Sequence, residues 1–242
     1  VVFADCFNRY FEPENLRATL KVMEAADVPV HLAKAPKGER PLCCGRTFLS
    51  AGLIDEAKVE AQRLVDALMP YVEQGLPIIG LEPSCLLTLR DEIPALLPGE
   101  DTSKLAAKAR MLEEYIADQE ANPDFHLPLT SPAPKVLLHG HCHQKAMGIM
   151  SSIEKTLALL PNTQVETVET SCCGMAGAFG YGTETHETSR AMAELDLAPA
   201  IRKADTETLI VADGTSCRHQ VADLTTRQPV HMARLLEMAL KK

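Results

Sequence analysis

The eight cysteines of this chain fall into two groups of four that share one order. Each group has a single cysteine, then a Cys-Cys-Gly tripeptide, then another single cysteine. The first group is Cys6, Cys43, Cys44 and Cys85, and the second is Cys142, Cys172, Cys173 and Cys217. Thiolates at this density most often hold iron–sulfur clusters or zinc. We therefore predict that all eight cysteines are metal ligands.

Three other roles for these cysteines compete with iron–sulfur binding. A single free cysteine is often only a small buried hydrophobe, but two quartets in the same order disfavour that interpretation. Structural zinc in one or both quartets, within an assembly scaffold, stays open, although the Cys-x2–4-Cys spacing usual for zinc is absent. A thiol–disulfide enzyme that uses adjacent cysteines such as Cys43 and Cys44 is a third alternative.

The composition is that of an ordinary globular protein of 242 residues, with 46% apolar and 24% charged residues. Such a chain can bury a core, so a small disulfide scaffold is disfavoured. The net charge of −9 and the absence of Trp disfavour nucleic-acid binding. The sequence shows no secretory signal and no long apolar run, so we predict neither export nor a membrane-spanning helix. We expect a cytoplasmic location, with a partner able to hold the chain at the inner face of a membrane.

Apolar runs that alternate with helical patterns position the cysteines. We predict strands over residues 1–5, 28–32, 76–81, 135–139, 164–168 and 208–212, and helices over 15–26, 55–73, 102–120, 144–160 and 185–203. This alternation predicts an α/β fold of two similar βαβ-type halves with parallel sheets, related by an internal repeat. The expected boundaries are 1–121 for the first half, 122–134 for a proline-rich connector and 135–242 for the second half. Because Val1 begins a predicted strand at once, we expect a segment of a longer protein.

Every cysteine site follows a predicted strand. Ligands of open parallel sheets sit at the carboxyl ends of the strands, so each quartet should converge on one sheet edge. Gly45 and Gly174 directly follow the paired cysteines. A backbone that approaches an inorganic centre needs positions without a Cβ atom or with positive φ, so we predict that both glycines contact the cofactor.

Four histidines lie near the second group of cysteines. His141 and His143 flank Cys142, and we predict that they contact the cofactor as ligands, hydrogen-bond donors or proton relays, with a purely structural role equally weighted. For His139 we expect a strand-end histidine satisfied by the backbone, and for His219 a structural role is favoured. Lys145 could offset the charge of a cluster, but a solvated helix residue is the favoured interpretation.

The doubled Cys…Cys-Cys-Gly…Cys pattern resembles the cysteine-rich CCG domain. That domain occurs in the B subunit of heterodisulfide reductase, the glycolate oxidase iron–sulfur subunit, the anaerobic glycerol-3-phosphate dehydrogenase C subunit and lactate-utilisation oxidoreductases. Residues 139–146, 171–180 and 213–220 look most like the glycolate oxidase branch and the C-terminal part of FAD-linked D-2-hydroxy-acid oxidases. The similarity covers essentially the full chain.

The resemblance implies a redox module and not a complete enzyme. In that family, electrons pass from a flavin that has oxidised a 2-hydroxy acid, through iron–sulfur centres, to a quinone or another acceptor. The implied cofactors are one or two 4Fe-4S clusters, with zinc open in one half and iron favoured in the second. FAD and a ferredoxin-like segment would belong to a missing domain or a partner. Thr88 and Gln220 stand where heterodisulfide reductase has a fifth cysteine, which disfavours heterodisulfide cleavage.

Overall fold

The computed structural model describes residues 1–241 and divides into two compact units, Val1–Gln119 and Glu120–Lys242. Both units combine helices with a small parallel sheet, of two strands in the first and three in the second. The predicted α/β class with parallel sheets is therefore confirmed. The finer boundaries placed at residues 122–134 stay a prediction.

The first unit is built around a short parallel sheet. Its elements are helices α1 (Pro13–Ala25), α2 (Arg46–Ser50) and α3 (Ile54–Val72), strand β1 (Ile78–Gly80), helices α4 (Pro83–Leu86), α5 (Glu92–Leu96) and α6 (Glu100–Lys108), strand β2 (Ala109–Met111) and helix α7 (Leu112–Asp118). Strand β2 lies parallel to β1, and Val2 forms parallel bridges to Leu32 and to Ile79 of β1. The extended segments thus follow the spatial order Leu32, Val2, β1, β2.

The second unit repeats this arrangement. Its elements are β3 (Lys135–His139), α8 (Cys142–Ala146), α9 (Met150–Ala158), β4 (Gln164–Thr167), α10 (His186–Leu195), α11 (Leu197–Lys203), β5 (Leu209–Ala212), α12 (Thr215–Leu224) and α13 (Met232–Ala239). The strand order is β4-β3-β5, all parallel, and Val230 adds a parallel bridge to Val211 of β5. Both units therefore share one topology.

The strand register matches the two units residue by residue. Val2 pairs with Ile79, and Leu138 pairs with Val211. Val2 and Leu138 each lie four residues before the first cysteine of their quartet. Ile79 and Val211 each lie six residues before the last cysteine of their quartet. The residue that follows Val2, Phe3, therefore corresponds to His139, which follows Leu138. By the same count, Asp5 corresponds to His141.

Three predicted helices differ from the structure. The one over 102–120 is wrong in its middle, because Ala109 and Met111 are fully buried and pair with β1 as strand β2. The helix over 144–160 is broken between α8 and α9, where Gly148 has a φ of +69°. The helix over 185–203 is broken at Asp196, between α10 and α11.

Two predicted strands and one predicted helix start are also corrected. The strands over 1–5 and 28–32 reduce to single bridges at Val2 and Leu32. Helix α1 begins at Pro13, whose fixed φ suits a first helical position, two residues before the start predicted at Asn15. The Asn15 side chain instead donates a hydrogen bond to Asn8.

The apolar core of each unit reaches up to the thiols. In the first unit Leu64 and Leu68 of α3 and Ile78 of β1 are fully buried. In the second unit Cys173 and Cys217 belong to the same buried cluster as Leu137, Val168, Met175, Leu197, Ile201, Ile210, Ala212 and Val221. Within residues 1–241 no helix is long and apolar enough to cross a membrane.

Candidate metal centres

The four thiols of the first unit form a continuous chain of sulfurs. Cys6 follows the extended Val1–Asp5 segment, Cys43 and Cys44 lie in the loop before α2, and Cys85 lies in α4, just after β1. Hydrogen bonds join Cys6 to Cys43, Cys43 to Cys44, and Cys44 to Cys85. All four are free thiols. Three segments that are distant in sequence therefore bring their sulfurs to one place.

The second unit holds its thiols in the same way. Cys142 begins α8 after β3, Cys172 and Cys173 follow β4, and Cys217 lies in the first turn of α12 after β5. Hydrogen bonds join Cys142 to Cys172, Cys172 to Cys173, and Cys173 to Cys217. The later pair of each quartet, Cys44 with Cys85 and Cys173 with Cys217, is buried, while the earlier pair is partly exposed. Each array thus runs from the core to the surface.

The glycines after the paired cysteines bring the backbone against sulfur. The N–H of Gly45 donates to Sγ of Cys43 at 3.5 Å, and the N–H of Gly174 donates to Sγ of Cys172 at 3.3 Å. Both glycines lie in the left-handed region, with φ of +80° and +90°. A Cβ atom on Gly174 would run into the carbonyl oxygen of Ser189 in α10, so this position requires glycine.

The thiols of the first unit share protons unequally. Hydrogen bonds from Cys44 and then Cys6 lower the pKa of Cys43 to about 2. The same hydrogen bonds raise the pKa of Cys44 and of Cys6 well above the usual range. A hydrogen bond from Cys44 lowers the pKa of Cys85, but burial and the charges of Asp5 and Glu82 outweigh it and raise the value to about 11.

In the second unit the first three cysteines have pKa shifts in the same directions as in the first unit, but the pKa of Cys217 is lowered where that of Cys85 is raised. Hydrogen bonds from Cys142 and then Cys173 lower the pKa of Cys172, and they raise the pKa of both donors. The pKa of Cys217 is lowered, first by the hydrogen bond from Cys173 and further by the hydrogen bond from His139, although burial acts in the opposite direction. Because metal ligands must be thiolates, a bound cation would displace the shared protons.

Lys145 is tied to the loop that carries the second cysteine pair. Its Nζ donates to the carbonyl oxygen of Thr170 and lies 3.5 Å from that of Ser171. Burial lowers the pKa of Lys145, while the nearby thiols act in the opposite direction. The expectation of a solvated lysine is therefore wrong, because the side chain is partly buried and fixes residues just before Cys172.

His141 and His143 lie against Cys142. The Nδ1 atoms of both rings are 3.9 Å from Sγ of Cys142, and the rings stack with centroids 5.1 Å apart. Nδ1 of His141 also accepts the backbone N–H of His143 at 3.1 Å and so caps α8. That bond leaves its proton on Nε2 when the ring is neutral. Contact of these two rings with a cofactor stays a prediction.

His139 has surroundings that its sequence context did not indicate. It is 1% exposed, and its ring nitrogens make no hydrogen bond to nitrogen or oxygen, their one polar contact being with the Cys217 thiol. A ring nitrogen and the sulfurs of Cys173 and Cys217 all lie within 4.8 Å of one another. The expectation of a histidine satisfied by the backbone is therefore wrong. Alignment of the two halves was the available signal, since it places an apolar Phe3 opposite this imidazole.

The remaining sites have structural partners. His219 is exposed, and its Nδ1 lies 2.5 Å from the hydroxyl of Tyr181. The Thr88 hydroxyl donates to the carbonyl of Ser84 at 2.7 Å, and the Gln220 amide donates to the carbonyl of Ser189 at 3.1 Å. Thr88 and Gln220, each three residues after the last cysteine of its quartet, thus serve as hydrogen-bonding residues.

The donor sets fit a thiophilic metal or an iron–sulfur cluster. Each unit offers a continuous chain of four thiols, and the second adds a buried imidazole whose one polar contact is the Cys217 thiol. Soft sulfur donors with imidazole suit iron–sulfur clusters, zinc and related metals. The residues that would hold the group are the eight cysteines, with backbone N–H groups aimed at two of the sulfurs.

Two α/β units with parallel sheets, each of which gathers a Cys…Cys-Cys-Gly…Cys quartet, define a cysteine-rich domain. The chain matches the model of the CCG cysteine-rich domain twice, over residues 1–90 and 136–222, and it belongs to that family. The resemblance found in the sequence is confirmed, as is the internal repeat.

The curated relatives include a dehydrogenase, a subunit of another dehydrogenase and a lactate utilization protein. The chain is 28% identical to the C subunit of anaerobic glycerol-3-phosphate dehydrogenase from Escherichia coli, over 98% of this chain and 58% of that protein. It is 30% identical to D-2-hydroxyglutarate dehydrogenase of Pseudomonas putida, over 96% of this chain and 21% of that protein. It is 25% identical to lactate utilization protein A of Bacillus velezensis, over 88% and 86%. The chain thus spans little more than half of the first relative.

Proposed function

We propose that this chain is an electron-transfer domain that binds iron–sulfur clusters through its two cysteine quartets. The observation that carries the proposal is the chain of four contacting thiols, present in both units with the same order and the same strand positions. One 4Fe-4S cluster per unit matches four thiolates each. The names of the relatives, which are dehydrogenases and a subunit of one, support a redox role.

The cluster would supply one-electron transfer, and the chain would tune it. Thiolates from three loops hold it, and the N–H groups of Gly45 and Gly174 donate to sulfur, which favours the more reduced state. The buried cysteines shield one side from water. The partly exposed Cys6, Cys43, Cys142 and Cys172 leave the other side closer to a redox partner.

The proposed partners are a flavin-containing 2-hydroxy-acid oxidase domain or subunit and a ferredoxin-like segment. The match to one fifth of a D-2-hydroxyglutarate dehydrogenase supports such a modular arrangement. We propose that the electron acceptor is a quinone or another carrier. We propose that the chain lies in the cytoplasm or at the inner face of the membrane. On this proposal the chain alone does not oxidise a hydroxy acid.

The deciding experiment is anaerobic reconstitution with iron and sulfide, followed by analysis of iron, zinc and sulfide content. We expect iron and sulfide in stoichiometric amounts, a broad absorption at roughly 400 nm and an EPR signal on reduction. Protein that folds but takes up neither iron nor sulfide would contradict the proposal.

Matched cysteine variants assign the clusters to the two units. Cys43→Ser should remove the iron of the first unit only, and Cys172→Ser that of the second only. Ser50→Ala, an exposed hydroxyl in the first unit, is the control and should retain all the iron.

A structural zinc scaffold is the second candidate, and the proximity of His139 to Cys173 and Cys217 favours it for the second unit. Stoichiometric zinc without sulfide in that unit would establish it. A vicinal-thiol disulfide reductase is the third, supported by the contact between Cys43 and Cys44. Turnover of a dithiol substrate by metal-free protein, abolished in Cys44→Ser, would favour that activity.

A further inference from the structure

His139 is a buried imidazole whose ring nitrogens meet only sulfur in the described part of the chain. It is 1% exposed, it makes no hydrogen bond to a nitrogen or oxygen atom, and its one polar contact is with the Cys217 thiol. A thiol is a weak hydrogen-bonding group, so it satisfies a buried imidazole poorly, and this surrounding calls for a further explanation. A bound ligand is one such explanation.

The other two buried histidines of this unit behave differently. Nδ1 of His231 accepts the N–H of Ala233 at 3.0 Å, and its other nitrogen lies 3.7 Å from Asp213. Nδ1 of His141 accepts the N–H of His143 at 3.1 Å. Both rings therefore cap helices through the backbone. His139 has no such role, although it is as deeply buried as His231.

The surroundings of His139 are thiols. Cys173 and Cys217 are both buried, and their sulfurs lie with a His139 nitrogen within 4.8 Å of one another. Two sulfurs and one imidazole nitrogen at such separations can coordinate one centre, since metal–sulfur bonds are about 2.3 Å and metal–nitrogen bonds about 2.0 Å. The imidazole thus adds a donor at the buried end of the second quartet.

The first unit provides an internal comparison. The strand register matches His139 with Phe3, and Phe3 is also 1% exposed. An aromatic ring therefore fills the same place in both units, and a hydrocarbon ring is sufficient for packing there. The nitrogen atoms in the second unit are the difference, and packing alone does not account for them.

We propose that His139 is a nitrogen ligand of the metal centre in the second unit, beside Cys173 and Cys217. The proposal rests on the proposed function only in requiring a metal centre at this place. It makes the two centres chemically unlike, with sulfur donors alone in the first unit and sulfur plus imidazole in the second. A four-iron cluster takes one protein ligand per iron, so His139 would replace one of the four thiolates there, and at a zinc ion it would join Cys173 and Cys217 among the four ligands.

The direct test is pulsed EPR of the full chain labelled with 15N-histidine. Cys43→Ser together with Cys44→Ser empties the first unit, so that the signal comes from the second. If the centre proves to be zinc, cobalt(II) takes its place as the paramagnetic probe. We expect a strong hyperfine coupling to histidine nitrogen. Loaded protein without such a coupling overturns the proposal.

Two matched variants identify the ring. His139→Phe installs the residue that the first unit carries at this position, and we expect it to lose the nitrogen coupling or the metal while circular dichroism stays unchanged. His219→Phe, at an exposed position where the ring pairs with Tyr181, should keep the coupling. Retention of the coupling in loaded His139→Phe overturns the assignment. If His139→Phe does not fold, His139→Gln and the labelled parent chain carry the test.

The outcomes separate this proposal from the proposed function. Failure of the parent chain to bind any metal overturns both. Bound iron and sulfide without histidine coupling overturns the ligand role of His139 alone. Bound zinc with histidine coupling overturns the iron–sulfur assignment of this unit and retains the ligand role.

Discussion

The backbone N–H of Gly174 donates a hydrogen bond to Sγ of Cys172 across 3.3 Å. The contact exists because residue 174 has a φ of +90° and no side chain, which lets the loop lie directly on the Ser189 carbonyl of α10. In the first unit the N–H of Gly45 donates to Cys43 in the same way, and its loop packs on α3 less tightly. A Cβ atom added to Gly45 would lie 3.1 Å from the carbonyl oxygen of Ala57.

Gly174→Ala should therefore destabilise the second unit and weaken metal binding. The left-handed backbone costs an alanine about 1–2 kcal/mol, and the collision with Ser189 should bring the total to roughly 3 kcal/mol. Urea unfolding and iron content measure the two effects. Gly177→Ala is the control, because Gly177 has a φ of +70° but nothing within 4 Å of an added Cβ. Equal losses in the two variants would contradict the steric argument.

Asp5 should make the metal-free protein less stable as the pH rises. Burial is the main cause that raises the pKa of Asp5, from 3.8 to about 6. A raised folded-state pKa means that the contribution to stability is complete below the unfolded value and is lost as pH rises through the folded one. The shift corresponds to roughly 3 kcal/mol between about pH 4 and 7.

The measurement for Asp5 is the urea midpoint of metal-free protein across that pH range. Asp5→Asn should flatten the profile relative to the parent chain, although it perturbs the hydrogen bonds that Asp5 accepts from Asn8. Asp101→Asn, at an exposed position, should leave the slope unchanged. A parent profile that rises between pH 4 and 7 relative to Asp5→Asn would refute the prediction.

Asp213→Ala should destabilise the second unit by about 3 kcal/mol, because several buried donors would lose their acceptor. Asp213 is 1% exposed and accepts hydrogen bonds from the Gln144 amide at 2.9 Å and from the Met232 backbone N–H at 3.0 Å. It thus links α8 and α13 to the end of β5. Thermal unfolding measures the loss, and the exposed Asp223→Ala should unfold at the parent temperature.

Arg218→Lys should lower both stability and the metal occupancy of the second unit. Nη1 of Arg218 donates to the carbonyl oxygens of Ala212 and Asp213, each at 2.7 Å, and so holds the turn that leads to Cys217. A lysine lacks the planar fork, so we expect a loss of about 2 kcal/mol and reduced iron content. Arg202→Lys, in an exposed pair with Glu194, is the matched substitution, and both readouts should stay at parent values.

The repeated cysteine pattern made the family and the α/β class predictable. Thiols in register after apolar runs indicate loops at one sheet edge, a rule that depends only on parallel topology. The strand at Ala109–Met111 was hidden because Ala, Arg and Met are good helix formers, and pairing with β1 overrides that preference. The role of His139 was hidden for another reason, since hydrogen-bond satisfaction depends on the surroundings of a side chain and not on its type.

The wide spacing of the cysteines has a consequence for folding. Within each quartet the donors come from three segments separated by 36 and 40 residues in the first unit and by 29 and 43 in the second. An inorganic centre bound by all of them acts as a cross-link that closes two long loops at once. Closing such loops restricts the conformations of the unfolded chain far more than those of the native one. Loading with metal would then decide how long the domain survives against proteases in the cell.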